Sequence, residues 1–222
     1  MQKLTKIIEK LKIKIVEYFQ DDATGHNIDH LSRVLNYALH LQSKEGGDII
    51  VVGISAFIHD IHRIMSNVEK RYVSPKESLK VVAKFIEDLD ITDNQKQHIL
   101  YAVEHHEEYA WEKDGVTVVD IESKLLQDAD NLDAIGVMGV IRAFKYGSEH
   151  SRVDYDPDTP LYTNEFSESG PDDASTIHHI YNKLMRLGAN MNTETAKKIA
   201  KQKTDFMSSF IDLYINEYNG KI

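Results

Sequence analysis

Apolar side chains recur every three to four residues along most of this 222-residue chain. Such spacing gives a segment one apolar stripe, which a helix must bury against another element. The segments that follow this pattern are approximately residues 4–19, 26–44, 75–89, 92–109, 120–146, 175–187 and 193–218. The pattern therefore predicts an all-α fold, a helical bundle.

Residues 49–58 depart from this pattern because they are almost wholly apolar. A run of this length fits a buried strand or a buried helix, and periodicity does not separate the two. Its neighbours are helical, however, and a lone strand would have no partner for its backbone groups. We therefore predict a buried helix here.

The charge balance restricts the partners of the chain. Its 36 acidic residues outnumber 26 lysines and arginines, which gives a net charge of −10. A surface of this charge repels a polyanion, so we expect no long nucleic acid as a partner, although a small anion remains compatible. No cysteine is present, which excludes thiolate ligands. The N-terminal stretch is charged and amphipathic, so we expect no membrane association and a cytoplasmic protein.

Residues 147–173 interrupt the helical pattern and hold three of the four prolines. We interpret this segment as an ordered lid within one domain spanning residues 1–222, with a core at about 20–147 and a C-terminal helical part at about 174–220. Tyr155, Tyr162 and Phe166 of the lid are open to two interpretations. They stack on a base, or they anchor the loop.

Polar residues of metal-binding type lie inside or at the end of three of the helical segments: His30, the adjacent pair His59 and Asp60, and an acidic run near residue 130. An ionised carboxylate is costly to bury unless it is paired or binds a metal. Two imidazoles and two carboxylates suit one divalent cation. Pairing of Asp60 with Arg63 is the structural alternative.

The acidic run contains Asp128, Asp130 and Asp133. A helical wheel separates the first two by about 200°, so they cannot both face one ion. The wheel places Asp128 and Asp133 nearer the apolar stripe than Asp130. It does not select the ligand.

Four stretches in order resemble the HD-domain superfamily of metal-dependent phosphohydrolases, and the soluble bacterial branch that includes nucleotide pyrophosphohydrolases. They are GHNIDHLSRV, AFIHDIHR, LLQDADNLDAIGVMGVIRAF and STIHHIYNKLMRLGANMNTETAKKIAKQKTDFMSSF. The resemblance implies an HD-type helical bundle with His30, His59, Asp60 and Asp130 as metal ligands. Asp128 remains the rival of Asp130.

Further residues are candidates for the reaction itself. Asp133 or His106 would move the proton, while the resemblance matches His26 to a histidine that contacts substrate or caps the helix. Arg33, Arg142 and Lys183 would neutralise phosphate charge, with ion pairing to the many acids as the alternative. His98, His105 and His106 raise the alternative of a second metal.

The resemblance predicts hydrolysis of a nucleotide or another small phosphorylated metabolite by a metal-bound water, with nucleoside triphosphate pyrophosphohydrolysis as the finer expectation. Mn²⁺ is the expected ion, ahead of Mg²⁺, Co²⁺, Fe²⁺, Ni²⁺ and Zn²⁺. The alternatives are a phosphodiesterase, a di-iron oxygenase or a non-catalytic regulatory module on the same scaffold. Asn27, His62 and Asn131 depart from residues common in the family, which leaves the substrate preference open.

Overall fold

Every regular element is helical in the computed structural model, which describes residues 1–15, 28–109, 117–161 and 174–221. This confirms the all-α prediction. The helices are α1 (Gln2–Ile15), α2 (Ile28–Glu45), α3 (Ile49–Ile58), α4 (Ile61–Glu69), α5 (Pro75–Ile86), α6 (Asp93–His105), α7 (Ile121–Ala134), α8 (Gly136–Glu149), α9 (Thr176–His179), α10 (Met185–Ala189) and α11 (Glu194–Tyr218), with a π-helical turn at Ile180–Leu184 between α9 and α10.

The chain divides into two compact units, Met1–Asp130 and Asn131–Ile222, with the boundary inside α7. The first unit has its core around α3, which contacts α1, α2 and α6. The arrangement of core, lid and C-terminal part stays a prediction.

The apolar run forms α3, as predicted, and all of it from Ile50 to Ile58 is buried. The helix begins at Asp48, whose carboxylate accepts a hydrogen bond from Ile50 N at 2.8 Å. By length and composition alone, Ile49–Glu69 could cross a membrane, but 72% of its apolar window is buried inside the protein. A helix that is apolar on every face is typical of a protein core, and α3 has that position.

Capping boxes start α5 and α6. Ser74 and Glu77 cap α5, while Thr92 and Gln95 cap α6, and both starts agree with the sequence. Helix α6 ends at His105, earlier than the predicted residue 109.

The long periodic stretch over residues 120–146 is two helices rather than one, and this corrects the prediction. Ile135 is extended and Gly136 has φ of +74°, so the chain turns between α7 and α8. Glycine tolerates this left-handed conformation, and a Cβ there would lie 3.0 Å from Lys203 Cγ. Lys203 Nζ donates to Leu132 O at 2.7 Å, which satisfies a carbonyl at the end of α7.

In the second unit, α11 packs against α8 and α10. Thr193 caps α11, which starts where the pattern predicted, whereas the helix predicted at 175–187 contains the π-helical turn. The described part of the expected lid is bonded to α9: His178 Nε2 donates to Thr159 O at 2.9 Å while its ring stacks on Tyr155. Tyr162 and Phe166 lie outside the described residues.

Candidate metal centre

Four polar side chains meet inside the first unit, and we call them the central cluster: His30, His59, Asp60 and Asp130. His59 ends α3 and Asp60 occupies the N-cap position of α4. An aspartate at this position normally accepts a hydrogen bond from the first turn, but Asp60 makes no such bond. Its Oδ2 lies 3.2 Å from His30 Nε2, and its Oδ1 lies 3.6 Å from His59 Nε2. The Asp60 carboxylate therefore faces the two histidines rather than capping α4.

Helices α2 and α7 supply the other two members. His30 Nε2 and His59 Nε2 lie 3.3 Å apart, and Asp130 Oδ1 lies 3.5 Å from the first and 3.7 Å from the second. Both rings are fully buried, whereas the Asp130 side chain is 20% exposed. The cluster is therefore buried with solvent access on the Asp130 side.

Main-chain carbonyls decide which ring nitrogens face this cluster. His59 Nδ1 lies 3.0 Å from Ala56 O, and His106 Nδ1 lies 2.7 Å from Val103 O. A carbonyl oxygen only accepts hydrogen bonds, so each Nδ1 carries the proton. In the neutral rings Nε2 then holds the lone pair that binds a metal.

The charges around His59 favour a cation. Burial lowers the pKa of its imidazole, but the carboxylates of Asp60 and Asp130 outweigh this and raise it to about 9. Burial raises the pKa of Asp130, but its contact with His59 and the charges of His59 and His30 lower it well below its usual range. A divalent cation would take the place of the proton on His59, since metal binding releases protons from its ligands.

A second set of residues borders the central cluster, and we call it the flanking cluster: His62, Arg63, His106 and Glu107. His62 and His106 are buried, with ring centroids 5.3 Å apart, and His106 Nε2 lies 4.0 Å from Asp60 Oδ1. Burial and the neighbouring His59 and His62 lower the pKa of His106 to about 4 although Glu107 opposes the shift, so this ring is neutral at pH 7.

Glu107 links the members of the flanking cluster. Its Oε1 accepts from Arg63 Nη2, while its Oε2 lies 3.3 Å from His62 Nε2. Burial raises the pKa of Glu107, but His62 and Arg63 outweigh it and lower the pKa to about 2. Sequence reasoning did not select Glu107 or His62 as site residues. The only available signal was His62 as a departure from the family pattern.

Gln127 holds the end of α6 against α7. Its Nε2 donates to His105 O at 2.9 Å and to Glu108 O at 2.7 Å. These two carbonyls flank His106 and Glu107 in sequence, and Gln127 lies one helical turn before Asp130. The side chain thus ties the flanking cluster to the helix that carries Asp130.

The other predicted residues have varied positions. Asp128 and Asp133 are fully buried, as the wheel indicated, and Asp133 accepts from Arg142 Nη1 at 3.0 Å in the second unit. Arg33 and Lys183 are partly buried. His98 is exposed, His105 is bonded to Glu108 at 2.7 Å, and His26 lies outside the described residues.

The residues present fit a divalent cation. His30, His59 and Asp60 offer ligand atoms that all lie within 4.8 Å of one another, and so do His59, His106 and Asp130. Buried imidazole lone pairs that face carboxylates need a positive charge between them. The nitrogen and oxygen donors, without thiolate, suit Mn²⁺, Fe²⁺, Co²⁺, Ni²⁺ or Zn²⁺.

Comparison with known proteins identifies the family. The HD domain model matches residues 27–135, which include all four members of the central cluster. The Lin1889 protein from Listeria innocua is 30% identical over 97% of both chains, and its crystal structure superposes with a TM-score of 0.73. The chain belongs to the HD-domain family.

Two further relatives resemble the chain over nearly its whole length. An HD-superfamily hydrolase from Bacillus thuringiensis is 29% identical, covers 98% of this chain and 97% of its own, and gives a TM-score of 0.71. The uncharacterized protein YpgQ of Bacillus subtilis is 28% identical over 206 residues, 93% of this chain and 91% of YpgQ. A crystal structure of YpgQ in complex with ADP is 25% identical, covers 95% of this chain and 97% of that one, and gives a TM-score of 0.67. Family and cluster together support a metal-dependent hydrolase.

Proposed function

We propose that this protein is a metal-dependent phosphohydrolase acting on a small nucleotide. The observation that carries the proposal is the central cluster, because two carboxylates and two imidazoles from three separate segments converge there within 3.2–3.7 Å of one another. The HD-superfamily hydrolase from Bacillus thuringiensis supports the reaction class. The ADP complex of YpgQ supports a nucleotide as the ligand class.

In this proposal His30, His59, Asp60 and Asp130 hold one divalent ion, with Mn²⁺ as the first candidate. A bound ion would supply Lewis acidity toward a phosphate oxygen and lower the pKa of a coordinated water. The hydrogen bond from His59 Nδ1 to Ala56 O fixes the ring so that Nε2 keeps its direction toward the ion. Solvent and substrate enter beside Asp130, the most exposed member of the cluster.

His106 is the proposed proton carrier beside the ion. Its Nδ1 is committed to Val103 O, and in the neutral ring Nε2 can accept a proton. Its low pKa keeps this nitrogen available at pH 7. Asp133, with Arg142 on its carboxylate, stays the alternative proton carrier. His26, Arg33, Arg142 and Lys183 remain the predicted contacts to substrate, and pyrophosphate release remains the finer expectation for a triphosphate.

The experiment is a panel of nucleoside mono-, di- and triphosphates with the protein loaded with Mn²⁺, Mg²⁺ or Co²⁺. Phosphate and pyrophosphate are measured separately, so the bond that breaks is identified. We expect turnover by the wild-type protein and none above background by Asp60→Ala, which removes one oxygen ligand. Equal turnover by the two proteins would refute the proposal.

A two-metal phosphodiesterase is the second candidate, and one observation favours it. Asp60, His62 and His106 form a further group whose ligand atoms lie within 4.8 Å of one another. Elemental analysis decides between the candidates, since a ratio of two metal ions per chain is expected for the second and a ratio of one for the first. Cyclic and linear dinucleotides extend the panel for this purpose.

A further inference from the structure

Arg63 is a cation at the border of both clusters. It lies three residues after Asp60, on the same face of the chain as it enters α4, and its Nε lies 3.9 Å from Asp60 Oδ1. Its Nη2 donates to Glu107, and its side chain is 38% exposed. The guanidinium therefore reaches from solvent toward the carboxylate of the central cluster.

Within the described part of the chain, the Nε donor of Arg63 lacks an acceptor. This nitrogen is buried, and it has no hydrogen-bond partner among the residues that the structure describes. The 3.9 Å to Asp60 is too long for a hydrogen bond. Buried donors are normally satisfied, so an orphaned N–H beside a candidate active site indicates a ligand atom that accepts it.

An anionic oxygen suits this position. Asp60, Asp130 and Glu107 place three carboxylates around the two clusters, and these alone would repel a phosphate. Arginine stays charged at every physiological pH, and its planar guanidinium matches phosphate geometry. The histidine lone pairs can bind a cation, whereas the Nε–H of Arg63 can only donate a hydrogen bond to an acceptor.

Glu107 fixes the orientation of this guanidinium. It accepts from Nη2, so the Nε edge is left for another partner. Glu107 is itself held by the chain on both sides, because Gln127 donates to the carbonyls of His105 and Glu108. An arginine restrained in this way loses less conformational freedom when it binds.

We infer that Arg63 donates from Nε to a phosphate oxygen of the substrate and that Glu107 is the positioning residue that orients it. This inference rests on the proposed phosphohydrolase function and adds the residue that recognises the phosphate. Arg63 and Glu107 are 44 positions apart in the sequence.

Calorimetric binding of inorganic phosphate to the Mn²⁺-saturated protein tests the role of Arg63 without turnover. We expect Arg63→Met to weaken phosphate binding about ten- to a hundredfold, as for loss of a hydrogen bond to a charged group. Arg63→Lys keeps the charge but lacks Nε, so its phosphate affinity should lie between those of the wild type and Arg63→Met. If Arg63→Met does not fold, Arg63→Lys is compared with the wild type instead. Affinity for Mn²⁺, measured in parallel, should not fall, because removing a cation does not repel a metal ion.

Arg71→Met is the matched control. Arg71 is an exposed arginine of the same unit that pairs with Glu69 at 2.7 Å and Glu77 at 2.9 Å. It should leave phosphate binding at the wild-type value. Equal phosphate affinity in Arg63→Met, Arg71→Met and wild type would overturn the inference.

A double-mutant cycle tests the role of Glu107. We expect Glu107→Gln to weaken phosphate binding in the wild-type background and to have no further effect in the Arg63→Met background. If Glu107 only repelled the anion, its neutralisation would strengthen phosphate binding in both backgrounds, and the positioning role would be excluded.

Failure of this inference and failure of the proposed function give different results. Phosphate binding that depends on Arg63 in a protein without nucleotide hydrolysis would refute the function and leave Arg63 as a phosphate-binding residue. Hydrolysis of nucleotides together with phosphate binding that ignores Arg63 would refute the inference alone.

Discussion

Helix α7 carries two acidic residues with opposite solutions to the problem of a carboxylate inside a protein. Asp133 is fully buried in the second unit and has the guanidinium of Arg142 at 3.0 Å. Asp130, one turn earlier in the first unit, faces the ring nitrogens of His30 and His59 at 3.5 and 3.7 Å. Asp133 has a permanent cation within the chain, whereas Asp130 faces groups that are positive only when protonated. The difference separates a carboxylate that the chain itself neutralises from a site that calls for an external cation.

The largest expected effect comes from breaking the ion pair of the second unit. Arg142→Met leaves Asp133 buried without its guanidinium and should lower the free energy of unfolding by about 3–5 kcal/mol. Denaturant unfolding measures this change. The double variant Asp133→Leu with Arg142→Met should recover most of the loss, because two apolar side chains then replace the pair. Loss of bound Mn²⁺ in Arg142→Met would contradict the contrast between the two acids.

The next largest effect, on metal affinity, tests whether Asp130 or Asp128 of the first unit is the metal ligand. Asp130→Asn removes one charged ligand and should weaken Mn²⁺ binding about a hundredfold or more, beyond the loss usual for residues that only support a ligand. Asp128→Asn is the control, since Asp128 is fully buried but belongs to none of the three groups of candidate ligand atoms within the described residues. Equilibrium dialysis with metal analysis measures both. A greater loss in Asp128→Asn would reverse the assignment.

Metal removal should have a smaller effect on stability. At a Mn²⁺ concentration ten times its Kd, binding to the folded state adds about 1.4 kcal/mol, and chelation removes it. For a chain of this size the melting temperature should fall by about 3–6 °C. Asp60→Ala is the control, because without the ligand its melting temperature should not respond to chelator. An identical shift in this variant would place the stabilising metal elsewhere.

The smallest effect is expected at an exposed ion pair. Asp88 lies 2.5 Å from Lys14 and 2.9 Å from Lys10, and hydrogen bonds from these two lysines lower its pKa from 3.8 to about 2. Because the folded pKa is the lower one, the contribution to stability is present above pH 4 and disappears as the pH falls toward 2. Asp88→Asn should therefore lower the melting temperature slightly at pH 7 and not at pH 2. Added salt should reduce the difference further, since exposed pairs are screened.

Much of the secondary structure was readable from the sequence. The periodic segment starting at residue 92 predicted the start of α6, and the apolar run predicted α3, because such patterns act over a few neighbouring residues. The predicted single helix over residues 120–146 was wrong at Gly136. The apolar periodicity continued through that position. The left-handed turn at Gly136 packs against Lys203, which comes from a helix distant in sequence.

The candidate site was readable in part. The family resemblance named the four residues that the structure brings together, whereas the wheel alone placed Asp128 and Asp133 nearer the core than Asp130. A wheel gives directions around one helix and does not show what lies opposite. The pair of Arg63 and Glu107 has no local signal, because its partners come from α4 and from the end of α6.

The sequence by itself determined most of the helices, several of their ends and the chemical types of donor available for a metal. Only the tertiary structure decided which acid on α7 meets His30 and His59, and which arginine borders them. The physical reason is range: caps and apolar stripes depend on neighbours within one or two turns, while a buried charge is stabilised by whatever the folded chain places within a few ångströms of it.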